Sequence, residues 1–285
     1  MLSYSQAFYE LLNKLKSLYD EQESGAIAHE ALQHITGLDK LQRIIEKDKS
    51  FTVGQQQLFE NIKADLLIGK PLQYVMGKAW FMGRSYKVNE HVLIPRPETE
   101  ELVQWIIDDN KDQNLSILDI GTGSGCIPIS LKLALSYTNI TACDVSSDAI
   151  SVAKENADDL NTSLSFLQLD FLDNEKWEKL GIHDIIVSNP PYIPANEKDQ
   201  IHTNVKDFEP HIALFVPNDD PLLFYRAIAA FGKEHLKKDG SIYCELHTDH
   251  ALQTEQLFKE LGYNHVTVKK DIHGNYRMLK AQMVL

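Results

Sequence analysis

A chain of 285 residues that is 43% hydrophobic holds enough apolar material for one large core and a smaller second one. Its formal charge of -13 is concentrated late: residues 1 to 95 carry 11 basic and 11 acidic side chains, residues 96 to 285 carry 17 and 30. Affinity built on phosphate contacts needs a basic surface, so this balance speaks for a protein partner over nucleic acid. No apolar run approaches membrane-spanning length and the opening Met1 to Gln6 has no basic stretch followed by an apolar one, so a cytoplasmic chain without a membrane partner is expected.

Residues 1–70 read as a helical domain. Ala7, Phe8, Leu11, Leu12, Leu15 and Leu18 recur at helical spacing, as do Ile27, Ala28, Ala31, Leu32 and Ile35, with Gly37 and Gly54 as breaks. No catalytic constellation appears here, so a small bundle packed on itself accounts for the stretch. Residues 71–95, with Pro71, Gly77, Gly83 and the alternating Tyr86 and Val88, read as a strand-rich connector containing a hairpin. Residues 96–285 form the second domain, opening with a helix whose first turn, Pro97-Glu98-Thr99-Glu100, is rich in acids.

Ser116 to Ile120 is a short apolar run leading into Gly121-Thr122-Gly123-Ser124-Gly125 and then Ile127, Ile129, Leu131, Leu133 and Leu135: strand, glycine turn, helix. Such glycines let the backbone approach a ligand, and the helix start offers free amides and partial positive charge. Pro128 fits the first helical turn, where its missing amide costs nothing. A dinucleotide fingerprint needs glycine where Cys126 stands, which weakens a nicotinamide-cofactor reading. Asp119 is expected to orient the loop by hydrogen bonding.

The strand Ile140 to Asp144 ends in an acid suited to ribose hydroxyls, nineteen residues beyond Gly125 and followed by the helix cap Ser146-Ser147-Asp148. The strand Leu164 to Leu169 ends in Asp170-Phe171, an acceptor for an adenine amine beside an aromatic face. Asp184 to Ser188 ends in Asn189-Pro190-Pro191-Tyr192. Two prolines leave a stiff turn with no amide donors, so Asn189 and the turn carbonyls present acceptors while Tyr192 presents a ring. That pairing suits a planar nitrogen, either a carboxamide or an exocyclic base amine. In an open parallel sheet the ligand lies beyond the carboxyl ends of the strands where their order reverses, so the glycine loop and Asn189 should face each other across one crevice. An adenosine-bearing cofactor beside a grip for nitrogen implies group transfer.

Strands at 241–246, 265–270 and 276–282, separated by helices near 220–236 and 249–261, complete a seven-stranded count. The fold class is α/β, a doubly wound, mostly parallel sheet with an antiparallel closing pair. Cys126, Cys143 and Cys244 sit apart in apolar stretches and read as reduced core thiols. His247 and His250 lack metal-ligand spacing and read as strand-end surface groups, with no metal expected. Asp112, Asp119 and the pair Asp158-Asp159 are not read as a catalytic dyad.

With these residues in view, the chain resembles a class I S-adenosylmethionine-dependent methyltransferase, specifically the HemK/PrmC family of glutamine N5-methyltransferases that modify peptide chain release factors. The resemblance spans the whole length. It rests on Pro71-Leu-Gln-Tyr74 with Gly77 and Phe81, Ile94 to Glu100, Asp119 to Gly125, Asn189 to Tyr192, Glu209-Pro210 with Ala213-Leu214, and Asp271 with Gly274 and Arg277. It implies a Rossmann-like seven-stranded domain, a helical bundle that helps recognise the release factor, and S-adenosyl-L-methionine held by Gly121, Thr122, Gly123, Ser124, Gly125, Asp144, Asp170, Phe171 and Asn189. Asn189, Pro190, Pro191 and Tyr192 would bind the substrate, with Asn189, Pro190 and Tyr192 carrying catalysis. The Pro97 to Glu100 turn is either ordinary capping or a wall at the methionine end of that site.

Two stretches depart from the family pattern: Val216 to Leu222 replaces a Gly-Gly-x-Asp-Gly-Leu run, and Glu245-Leu246-His247 replaces Glu-Ile-Gly. A nucleic-acid N-methyltransferase needs the same acceptors and is the rival reading. A dehydrogenase and a non-catalytic binding module fit less of the chain. A monomer is the default.

Overall fold

The computed structural model describes residues 1–111 and 114–283, so Asp112 lies outside the described residues. Two compact units emerge, the first comprising Met1–Lys78 with His202–Phe208. It contains α1 (Tyr4–Leu15), α2 (Glu21–Thr36), α3 (Lys40–Ile45), α4 (Val53–Leu67) and α5 (Leu72–Met76). Ser3, Asp39 and Thr52 each accept from the backbone amide of a glutamine three residues on, whose side chain reaches back. These capping boxes satisfy amides that a first helical turn leaves free. Leu11, Leu15, Ala28, Ala31, Leu32, Phe59, Ile62 and Leu66 close one core with Phe51, on the face that the helical spacing marks.

Two punctuation marks differ from expectation. Gly54 lies in the first turn of α4 rather than between helices, because the Thr52 cap starts the helix ahead of it. The stretch after Pro71 opens as helix α5, which Gly77 ends at φ 66, before any strand begins.

The second unit comprises Ala79–Ile201 and the chain from Glu209 onward. Its hairpin of β1 (Lys78–Phe81) and β2 (Arg84–Lys87) turns through Met82 and Gly83, both at positive φ (50° and 71°), the left-handed pair that matches strand twist. There follow α6 (Pro97–Asp109), β3 (Ser116–Ile120), α7 (Cys126–Ala134), β4 (Asn139–Asp144), α8 (Ser147–Asp159), β5 (Ser165–Gln168), β6 (His183–Ser188) and the short β7 (Ile193–Pro194). Next, α9 (Thr203–Phe208) belongs to the first unit, and the chain continues through β8 (Phe215–Val216), α10 (Leu223–His235), β9 (Leu236–Glu245), α11 (Ala251–Glu260), β10 (His265–Lys270) and β11 (Tyr276–Gln282).

The main sheet has seven strands in the order β10-β11-β9-β6-β3-β4-β5. β5, β4, β3, β6 and β9 run parallel, while β11 pairs antiparallel with both β9 and β10. Ile117, Leu118, Ile185, Ile186 and Val187 are almost wholly buried, which explains why the central strands read as continuous apolar runs. On one face Tyr225, Phe231 and Phe258 from α10 and α11 cover Leu118 and Ile186. On the other, Leu102, Ile106, Ile127 and Leu131 from α6 and α7 cover Ile117 and Val187. The chain steps outward from β3 to β4 to β5 and then returns to β6 on the opposite side of β3. That reversal opens a crevice beyond the ends of β3 and β6. No helix among the described residues is long and apolar enough to cross a membrane.

Candidate active site

The turn after β3 is built by three left-handed glycines, Gly121, Gly123 and Gly125, at φ 74°, 52° and 78°. The amides of Gly121 and Thr122 donate to the Cys143 carbonyl at 2.9 and 3.0 Å, fixing the turn against β4. A side chain on Gly121 or Gly123 would project into open space, whereas one on Gly125 would strike Ile129 and Ala153 at 3.0 and 3.1 Å. Gly125 therefore serves close packing of α7 on α8, with Pro128 the third residue of α7. Asp144 clamps the loop from the next strand: its Oδ2 accepts from the Gly123 amide at 2.9 Å and its Oδ1 from the Ser146 amide at 3.0 Å. Burial pushes its pKa up, and these backbone donors oppose the shift.

One cavity of about 250 Å³ gathers Gly121, Thr122, Gly123, Ser124, Asp144, Asp170, Phe171, Asn189, Pro190 and Pro191 on its wall. Gly125 stands behind that wall and Tyr192 outside it. Phe171 is steadied by Trp177, stacked at 5.7 Å, and by Phe231, edge-on at 5.4 Å. Pro95, Arg96 and Thr99 also line the cavity while Glu98 and Glu100 do not, so the helix start of α6 contributes through its neutral and basic members. Arg96 is anchored at 2.6 Å on Glu209, which is buried and also accepts from the Ile94 amide.

Several buried polar atoms here have no hydrogen bond of ordinary geometry among the described residues: the hydroxyls of Thr122 and Ser124 and both carboxylate oxygens of Asp119. Asp119 lies beside Thr122 of the loop it is expected to orient, and Thr122 steadies its charged form; backbone bonds and Asp144 hold the turn as well. Unpaired buried donors and acceptors beside a glycine cradle open to approach suit a polar ligand carrying both kinds of group. Burial, aided by the Asp144 charge, lifts the Asp119 pKa from 3.8 to about 7, with Thr122 opposing. A folded-state pKa above the unfolded one means the native protein binds more protons between about pH 4 and 7, so stability falls as pH rises through that window and levels off above it. Asp119→Asn is expected to abolish this fall, on the order of a few kcal/mol, in urea unfolding of the ligand-free protein at pH 5 and pH 8. Parallel curves for both proteins would refute the assignment.

Beyond β6, Ser188 donates to the Ile120 carbonyl at 2.7 Å, tying the two strand ends together. The Asn189 side-chain amide donates to Thr99 Oγ1 at 3.2 Å, Thr99 donates to Glu245 Oε2 at 2.5 Å, and Tyr192 donates to Glu245 Oε1 at 3.1 Å. A threonine hydroxyl has one proton. Because Thr99 gives it to Glu245, it can only accept from Asn189, which fixes the NH2 of Asn189 on Thr99 and leaves its carbonyl oxygen for another partner. No donor among the described residues meets Asn189 Oδ1, and the two prolines that follow bring no amides.

Glu245 is the member of this site that sequence reasoning missed; Thr99 stands in the Pro97 to Glu100 turn that reads from sequence either as capping or as a wall of the site. Thr99 is hidden among acids, and Glu245 looks like an ordinary strand end until its burial is seen. Its pKa is raised by burial, with Thr99 and Arg277 opposing. His247 is more enclosed than expected: its side chain is only 15% exposed and pairs with Glu197 at 3.2 Å.

Residues 7–77 match the PrmC N-terminal domain family and residues 99–207 the Methyltransferase small domain family. A release factor glutamine methyltransferase of Flavobacterium psychrophilum is 40% identical over 95% of this chain and 96% of its own length. That of Bacteroides thetaiotaomicron is 39% identical over 94% and 95%. Among solved structures, the hMettl16 catalytic domain, in complex with the MAT2A 3'UTR hairpin 6, aligns with TM-score 0.57 at 16% identity over 82% of this chain and 84% of its own, a likeness of fold. With relatives so similar over nearly its whole length, the chain belongs to the release factor glutamine methyltransferase family.

Proposed function

We propose that this protein methylates the side-chain N5 nitrogen of a glutamine in a peptide chain release factor, using S-adenosyl-L-methionine. The observation that carries the reading is the Asn189 carboxamide, its NH2 held through Thr99 by Glu245 and its carbonyl met by no donor among the described residues, on the wall of the same cavity as the glycine loop. When bound, S-adenosylmethionine supplies an electrophilic methyl group. Gly121, Gly123 and the free hydroxyls of Thr122 and Ser124 fit its methionine part, Asp144 its ribose hydroxyls, and Asp170 with Phe171 its adenine. Gly125 supports that site through helix packing, and Asn189 borders it.

A carboxamide nitrogen is a weak nucleophile because its lone pair is delocalised into the carbonyl. Asn189 Oδ1 and the Pro190 carbonyl accept its two N–H bonds, aim the nitrogen and stabilise the positive charge that grows on it. Pro191 keeps the turn stiff, and Tyr192, anchored by Glu245, sets the turn's exit and offers its ring to the substrate chain. Alignment and preset dipoles of this kind contribute several kcal/mol each, without a covalent intermediate. The three buried thiols fit a reducing cytoplasm, the compartment of translation, and the chain acts as a monomer in this reading.

Incubation with methyl-labelled S-adenosylmethionine and, separately, intact release factor, RNA and DNA tests the assignment. Label is expected on the release factor and on a glutamine. Label on nucleic acid alone would sink it in favour of base methylation.

A further inference from the structure

His247 leaves β9 two residues after Glu245. The Asp249 amide donates to its Nδ1 at 3.3 Å, so that nitrogen holds a lone pair and the ring proton sits on Nε2, facing Glu197 Oε2 at 3.2 Å. Glu197 lies in the 3-10 turn Ala195–Gln200 that follows the Asn-Pro-Pro-Tyr turn. The same imidazole meets the Tyr192 ring edge-on, centroids 5.8 Å apart at 70°. Tyr192 is therefore held twice, at its hydroxyl by Glu245 and at its ring by His247.

From the other side, Asn218 Oδ1 accepts from the Asn196 amide at 2.7 Å, and β7 pairs with β8. The two stretches that depart from the family pattern thus converge on neighbouring residues, 196 and 197. Pro217 and Pro221 fix two backbone angles in the segment that carries Asn218.

We propose that His247, as the neutral Nε2-protonated ring, is a positioning residue for methyl transfer: by tying Glu197 and the Tyr192 ring to the end of β9 it holds the Asn189 to Tyr192 turn in its reactive placement. This rests on the methyltransferase reading above. The titratable groups facing the ring are Glu197, Asp249, His250 at 5.1 Å between centroids, and Tyr192 with Glu245 behind it. Burial and His250 lower the His247 pKa while Glu197 and Asp249 oppose, which keeps the ring neutral at physiological pH. Protonation would put a second proton on Nδ1, against the Asp249 amide.

The test uses the full chain with intact release factor. His247→Ala is expected to lower kcat about tenfold with the KM for S-adenosylmethionine and the thermal midpoint nearly unchanged. His247→Gln, whose amide can donate to Glu197 and accept from Asp249, should recover most of that loss. His247→Ala combined with Glu197→Ala should be no worse than His247→Ala alone, since the His247–Glu197 pair is already lost in the single variant. Independently of activity, the nitrogen resonances of labelled His247 should report the Nε2–H tautomer. A wild-type protein that leaves release factor unmethylated would count against the function. A wild-type protein that is active while His247→Ala keeps full kcat, or His247→Gln rescues nothing, or the resonances report Nδ1–H, would overturn the positioning role.

Discussion

Asn189→Ala should lower kcat by about 100- to 1,000-fold, the range seen when one preset dipole is removed from a reacting centre, while the dissociation constant for S-adenosylmethionine changes by no more than about threefold. Loss of the carboxamide removes the Oδ1 acceptor and leaves Thr99 bonded to Glu245. The glycine loop is untouched, because its bonds run to Cys143 and Asp144. Single-turnover kinetics with calorimetric titration of the cofactor would separate the two quantities. A loss of affinity with kcat unchanged would place Asn189 in cofactor binding alone.

Asp144→Ala should behave in the opposite way, weakening cofactor binding about 10- to 100-fold, the weight of hydrogen bonds to a charged group, with kcat at saturating cofactor reduced only several-fold. Its carboxylate spends one lone pair of each oxygen on the Gly123 and Ser146 amides, leaving another on each for hydroxyls. Part of the loss will come from a slackened loop. Asp144→Asn, which keeps an acceptor for one amide but no charge, should fall between. Undiminished affinity in the alanine variant would remove Asp144 from the ribose role.

What the chain disclosed on its own was local. Glycine spacing after an apolar run located the turn at 121–125, and strand-end acids located Asp144 and Asp170, because turn and period signals lie within a few residues of the atoms they describe. The doubly wound sheet with an antiparallel closing pair followed from alternating strands and helices, whereas the full order of its strands did not. The support of Asn189 was not legible, since Thr99 and Glu245 stand 146 positions apart in sequence yet share one proton. The inward turn of His247 was hidden for the same reason: its partner Glu197 lies on a different segment.

The most direct measurement is a crystal structure of the protein with S-adenosylhomocysteine and a release-factor peptide containing the acceptor glutamine. The account predicts the glutamine nitrogen at about 2.9 Å from Asn189 Oδ1 and from the Pro190 carbonyl, with the cofactor sulfur on its open side. A nucleoside bound away from the glycine loop, or a glutamine amide that turns its nitrogen away from Asn189, would contradict it.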